Sequence, residues 1–167
     1  MTLQYLIRQA TPDDADVLVR MHTAAHEECY AHLLPPEFFA GRRASLPERI
    51  EGRRPHLDST DPRLLAFDEA GALVGFADAG PSRDDDRPGV YELYGLYVLA
   101  RAYGTGLGAR LLSLAVRDEP VVDLWAAIGN ERALAFYRKH GFVETGATKD
   151  LGGEWVPMRA LRMTRTR

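Results

Sequence analysis

Residues 90–112 read VYELYGLYVLARAYGTGLGARLL and restrict the fold more than any other stretch of the chain. The first ten are rich in Val, Tyr and Leu and give the strongest strand signal present. Gly104, Gly106 and Gly108 then alternate, and a helix-forming run follows from about Gly106 to Arg117. Three side chains are therefore missing where a strand hands over to a helix. Glycine reaches positive φ and lets a ligand approach the main chain closely. The first amides of a helix have no internal partner, and the dipole makes that end attractive to anions. The segment reads either as a tight turn without a ligand or as a cradle for a phosphate group. A Walker loop is ruled out, because it needs Gly-Lys-Ser/Thr and no lysine lies here. A dinucleotide fingerprint needs G-x-G-x-x-G after the first strand; Asp123 stands near the distance of its acid, but the glycine spacing is G-x-G-x-G.

Elsewhere the pattern alternates strands and helices. YLIRQA (5–10) reads as a first strand, and 11–32 starts as a helix. Thr11 is its cap, Pro12 its first position, and Asp13 and Asp14 suit the positive end of its dipole. Pro35-Pro36 breaks the chain, and 45–54 reads as a short helix capped by Ser45. Two apolar runs around Gly71 predict a hairpin over 63–80. RDDD (83–86) in the polar segment 81–89 reads as a solvated loop, or as an acidic rim that attracts cationic amines. VVDLWAA (121–127) is a strand, and a helix runs from Asn130 to about His140 with Gly141 at its left-handed cap. FVETGA and residues 155–163 read as two closing strands. This order predicts one α/β domain over 1–167 with a mixed sheet, and a parallel crossover between 90 and 127.

The bulk properties fit such a domain. Of 167 residues, 46% are hydrophobic and 27% charged, ordinary values for a globular chain. No apolar run approaches the ~20 residues that span a bilayer, so no membrane partner is expected. The opening MTLQYLIRQA lacks a basic start followed by a long apolar region, and no secretory signal is expected. Cys29 is the single cysteine, which excludes an internal disulfide and makes the cytoplasm the expected compartment. A net charge of −3 gives no reason to expect a nucleic-acid partner.

Three segments together resemble the GNAT superfamily of acyl-CoA N-acyltransferases. Residues 92–112 resemble its central strand, pyrophosphate loop and following helix. Residues 129–142, GNERALAFYRKHGF, resemble its later helix, and 7–21 its first strand and helix. The resemblance implies a single-domain α/β (α+β) fold: a mixed, mostly antiparallel sheet of about seven strands, with helices on both faces. It also implies transfer of an acetyl group from acetyl-CoA to a primary amine, on a small molecule or a peptide, by direct attack in a ternary complex. The alternative is a non-catalytic acyl-CoA-binding regulatory domain of the same fold. Members of the family are often homodimers.

The resemblance also distributes roles. Backbone amides over Tyr103, Gly104, Thr105, Gly106, Leu107, Gly108 and Ala109 would meet the diphosphate. The family's Gln or Arg before the first glycine is here Tyr103, so Arg101 is the candidate to assist. Leu96, Tyr97 and Val98 would pair with the pantetheine arm as an added strand. The Val98 amide would steady the charge of the tetrahedral intermediate. Glu92 is the candidate base, against a solvated carboxylate or one paired to an arginine; a water relay is the other source of a base. Tyr137 would protonate the leaving thiolate, since a phenol with a pKa near ~10 keeps its proton at neutral pH; the other reading is a core aromatic. Asn130 shares a helical face with Tyr137 and either caps its helix or bonds the pantetheine. Glu27, Glu28 and Tyr30 would meet the amine. His22 and His26 have metal-capable i, i+4 spacing, but the stretch is not H-E-x-x-H and no metal is expected.

Overall fold

In a computed structural model, which describes residues 4–167, the chain runs through seven strands and five α-helices. In order these are β1 (Leu6–Gln9), α1 (Ala15–Tyr30), α2 (Pro36–Ala44), α3 (Leu46–Arg53), β2 (Arg63–Phe67), β3 (Leu73–Pro81), β4 (Tyr91–Val98), α4 (Leu107–Val116), β5 (Val121–Ala127), α5 (Glu131–Lys139), β6 (Val143–Asp150) and β7 (Arg159–Thr166). The strands form one sheet in the order β1-β2-β3-β4-β5-β7-β6. β1–β2, β2–β3, β5–β7 and β6–β7 are antiparallel. β4 and β5 are parallel, pairing Tyr91 with Val122, Glu92 with Asp123 and Leu93 with Leu124. The mixed α/β sheet and the parallel crossover are those expected from the sequence. None of the described helices is long and apolar enough to cross a membrane.

Several elements differ from expectation: Thr11 and Pro12 open a short 3-10 turn over Pro12–Asp14 and α1 itself starts at Ala15, and β6 runs on to Asp150. The chain does break ahead of the proline pair at 35–36, since α1 ends at Tyr30, but Pro36 also begins a helix, α2, that was not expected. Pro35 is extended, with φ −73° and ψ 157°, and Pro36 takes the first helical position. There the missing N–H costs nothing and the fixed φ is already helical. The last strand begins at Arg159 rather than at 155, because Gly153–Trp155 turn as a short 3-10 helix. The hairpin turn between β2 and β3 is held by the Asp68 carboxylate, which accepts from the amides of Ala70 and Ala72.

The chain divides into two compact bodies. The first holds the residues through Asp78 together with Gly95–Ala115. Its core packs the apolar stripe of α1 (Ala15, Leu18, Val19, Met21, Ala25) with Ile50, Leu57, Leu65, Leu73 and Phe76. The second holds Ala79–Tyr94 and Val116–Arg167 and buries Leu93, Val122, Leu124, Leu134, Phe142 and Met163.

The entry to α1 is fastened by charge. Asp14 accepts from the Thr11 amide at 2.8 Å and from both terminal nitrogens of Arg8, at 2.8 and 2.7 Å. The Arg8 guanidinium, helped by Thr11, pulls the Asp14 carboxyl down from 3.8 to about 2. A carboxyl that ionises more readily folded than unfolded stabilises the fold above its unfolded pKa. That contribution is lost as the pH falls from about 4 towards 2. Asp14→Ala should therefore cost about 2 kcal/mol in urea unfolding at pH 7, and the gap from the parent chain should narrow below about pH 4 and close only below about pH 2.

Candidate functional site

In the first body, β4 leads directly into the glycine segment. The Leu99 amide donates to Val74 at 2.8 Å, and a short 3-10 helix comes next at Ala100–Ala102. The Glu28 carboxylate accepts from the Ala100 amide at 2.7 Å and so holds the first turn after the strand. Arg101 is engaged by Asp68 at 2.6 Å, on the β2–β3 turn. Tyr103 is extended, then Gly104 and Gly106 adopt φ of +75° and +85°. A Cβ at either glycine would meet no atom within 4 Å. Both are thus required by backbone conformation and not by crowding, and their main chain borders open space. Thr105 donates its hydroxyl to the Ala102 carbonyl, and buried Leu107, Leu111 and Leu112 seat α4 immediately behind. Gly108 lies in the first turn of that helix.

A third glycine had no signal in the sequence. Gly75 on β3 faces the end of β4, where a Cβ would stand 3.1 Å from Leu111, 3.2 Å from the Tyr97 carbonyl and 3.3 Å from Val98. Those distances are tighter than a Cβ usually keeps, so an alanine would have to push its neighbours back by a few tenths of an ångström, and Gly75 lets β3 pass close to the Tyr97–Val98 main chain.

The inner face of α1 brings His22, His26 and Tyr30 against Tyr97. The two imidazole centroids lie 3.9 Å apart, and His22 is 4.7 Å from both Phe76 and Tyr97. The hydroxyls of Tyr30 and Tyr97 share a hydrogen bond of 3.1 Å. Burial, then the charges of Arg42 and Arg49, push His26 from 6.5 down to about 3. Burial also lowers His22 well below its usual range, followed by His26 and then Arg53, Arg49 and Arg42. Both rings are therefore neutral at neutral pH. Among the described residues no group of three or more His, Cys, Asp or Glu could hold a metal ion. Of the three residues expected to meet the amine, Glu27 forms an exposed ion pair with Arg43 at 2.7 Å, Glu28 grips the main chain beyond β4, and Tyr30 is buried against Tyr97.

In the second body, Glu92 is 2% exposed and neighbours Asp123, 0% exposed, across the β4–β5 register. An unpaired carboxylate at such a place would carry a heavy desolvation cost. Each is matched by an arginine from residues 83–87. The Arg83 amide and guanidinium donate to Glu92 at 2.9 and 2.6 Å. Arg87 donates twice to Asp123, at 2.5 and 3.0 Å. Glu92 is thus paired to an arginine rather than solvated. Asp85 is exposed as expected for RDDD, but Asp84 and Asp86 are held by the strands, which corrects the expectation of a wholly solvated loop. Asp84 accepts from the Trp125 indole at 2.6 Å, and Asp84 and Asp86 both accept from Arg162. Residues 83–87 form a strap in which Arg83, Asp84, Asp86 and Arg87 each bond a group on the strands, while Asp85 is exposed.

Also in this body, Asn130 caps α5, its side-chain oxygen accepting from the Ala133 amide at 3.3 Å. Tyr137 lies one face along the same helix, 8% exposed and edge-on to Phe136 and Phe142. Its ring packs as a core aromatic does.

Residues 21–142 match the acetyltransferase (GNAT) family. The chain belongs to this family and is an acetyl-CoA-dependent acyltransferase. It is 29% identical over 166 residues to the probable N-acetyltransferase Rv2775 of Mycobacterium tuberculosis, covering 96% of this chain and 94% of that one. The crystal structure of ribosomal-protein-alanine N-acetyltransferase from Brucella melitensis is similar at 28% identity, with a TM-score of 0.64 and coverage of 97% and 99%. The PaiA N-acetyltransferase of Thermoplasma acidophilum, crystallised with coenzyme A, shares the fold at 20% identity, with a TM-score of 0.69 and coverage of 98% and 99%.

Two measurements test this geometry. Gly104→Ala and Gly106→Ala should each cost about 1–2 kcal/mol in thermal or urea unfolding, because a side chain is strained at positive φ. A loss near zero would mean the turn relaxes to another conformation. The neutral imidazoles give the opposite dependence to a paired histidine. Each has a folded pKa below its unfolded one, so the folded chain is favoured above about pH 6.5 and loses stability as pH falls towards 3. The melting temperature should fall from pH 7 to pH 4, and His26→Gln should flatten part of that slope.

Proposed function

We propose that the protein transfers an acetyl group from acetyl-CoA to a primary amine, by direct attack of the amine within a ternary complex. The observation that carries this reading is the pair of left-handed glycines between β4 and α4, with open space where side chains would stand. Amides over Gly104–Ala109 at the start of α4 suit a diphosphate, whose charge the helix dipole also favours. Arg101 is already committed to Asp68, so the main chain rather than this guanidinium carries the anion. The coenzyme A held by the Thermoplasma relative supports the choice of donor.

The pantetheine arm adds to β4 at Leu96, Tyr97 and Val98. The pairing of β4 with β5 runs through Tyr91, Glu92 and Leu93, and these three residues lie beyond it. The Val98 amide donates to the thioester oxygen as it becomes anionic. An ammonium with a pKa near ~10 must first lose a proton. Glu92, directly or through water, accepts it, and Tyr137 returns one to the departing thiolate. Asn130 contributes by capping the helix that carries Tyr137. The acceptor is a small molecule or a peptide; the name of the Brucella relative supports a peptide amine as one member of that class.

Thiol release from acetyl-CoA, followed with a panel of primary amines, tests this directly. At least one amine should give turnover; calorimetric binding of acetyl-CoA without turnover on any amine would point to a binding module instead. Tyr137→Phe should lower kcat by about 10²-fold while the Kd for acetyl-CoA changes little. Equal loss of both would assign Tyr137 to packing.

A further inference from the structure

Glu92 is a buried acid whose partner is a surface arm. The Arg83 side chain is 61% exposed, whereas the Arg87 side chain on the neighbouring pair is 31% exposed. Arg87 grips Asp123 with two guanidinium nitrogens, while Arg83 reaches Glu92 with one. The rest of the strap is pinned independently. Ser82 donates its amide to Val90, Asp84 holds Trp125, and Asp84 and Asp86 hold Arg162. The Arg83 amide itself also stays on Glu92, at 2.9 Å. The guanidinium of Arg83 can therefore leave without the strap unfolding, and it returns to water when it does.

The place it would vacate has the chemistry of a cation site. Glu92 and Tyr94 are two apart on β4 and so face the same way. The Arg83 guanidinium carbon lies 4.3 Å from the Tyr94 ring centroid while its nitrogen bonds Glu92. A buried carboxylate beside an aromatic face attracts an ammonium by charge pairing and by cation–π contact. We propose that Glu92 and Tyr94 form the site for the acceptor's ammonium, and that Arg83 occupies it as an internal stand-in until the amine displaces it. This rests on the reading of Glu92 as the group that meets the amine, and it makes the acceptor a cationic amine that competes with Arg83. Arg83 is then a specificity-determining residue, since an acceptor must bind better than a tethered guanidinium.

The test is calorimetry on the full chain saturated with coenzyme A, with n-butylammonium as the probe. Arg83→Met keeps the apolar stem and removes the competing charge, so the probe should bind at least about fivefold more tightly, the lower bound being the scale of a pair with both partners exposed. Adding Glu92→Gln to Arg83→Met should abolish that gain. Should Arg83→Met fail to fold, Tyr94→Leu in the parent chain serves instead, and should weaken probe binding about threefold. Unchanged or weaker binding to Arg83→Met overturns the proposal, as does a gain that survives Glu92→Gln or no effect of Tyr94→Leu. A parent chain that does not take up coenzyme A in the same instrument would instead refute the donor reading, so the two failures are distinct.

Discussion

Two carboxylates side by side in a sheet cannot stand without cations. Glu92 and Asp123 occupy adjacent register positions on the parallel pair β4–β5, and both are almost wholly shielded from water. The organisation of the second body derives from that constraint. The chain between β3 and β4 must bring arginines back over the strands, and two of its own acids, Asp84 and Asp86, are then matched. Trp125 and Arg162 on β5 and β7 do so. A buried ion pair is seldom a net gain over apolar packing, and loss of one partner is far more costly than loss of both. Such a network therefore specifies where residues 83–87 lie more than it adds stability.

The first body obeys a different logic. Its core is apolar along one face of α1, and a polar cluster stands where that helix reaches β4. There two neutral imidazoles, Tyr30 and Phe76 pack about Tyr97, and Glu28 ties α1 to the main chain beyond the strand. The end of β4 and the start of the glycine segment are thus held from one side by α1 and from the other by the close passage of β3 at Gly75. A main chain supported in this way is suited to receive a ligand without rearranging, which lowers the ordering cost of binding.

Much was legible because it is local. Proline, glycine and hydrophobic period act over a few residues, so β4, β5, α4 and α5 lie within a residue or two of their expected bounds. The glycine segment, the capping asparagine and the helical face shared by Asn130 and Tyr137 arise from the same short-range chemistry. Pro35-Pro36 marks a break that the structure has, but the same pair also begins α2, and only the residues after it decide that.

The sequence by itself determined the alternation of strands and helices and the bare main chain ahead of α4, since φ preference and side-chain period need no distant partner. Tertiary structure alone decided the fate of the charges. Nothing within four residues of Glu92 shows that it will be buried, that Arg83 and not solvent will meet it, or that RDDD will be consumed by Trp125 and Arg162. Nor does anything near Glu28 show that it will bind an amide 72 residues away. Ion pairing and burial are set by which strands become neighbours, and the free energy of a charge depends on that environment more than on the residue that carries it.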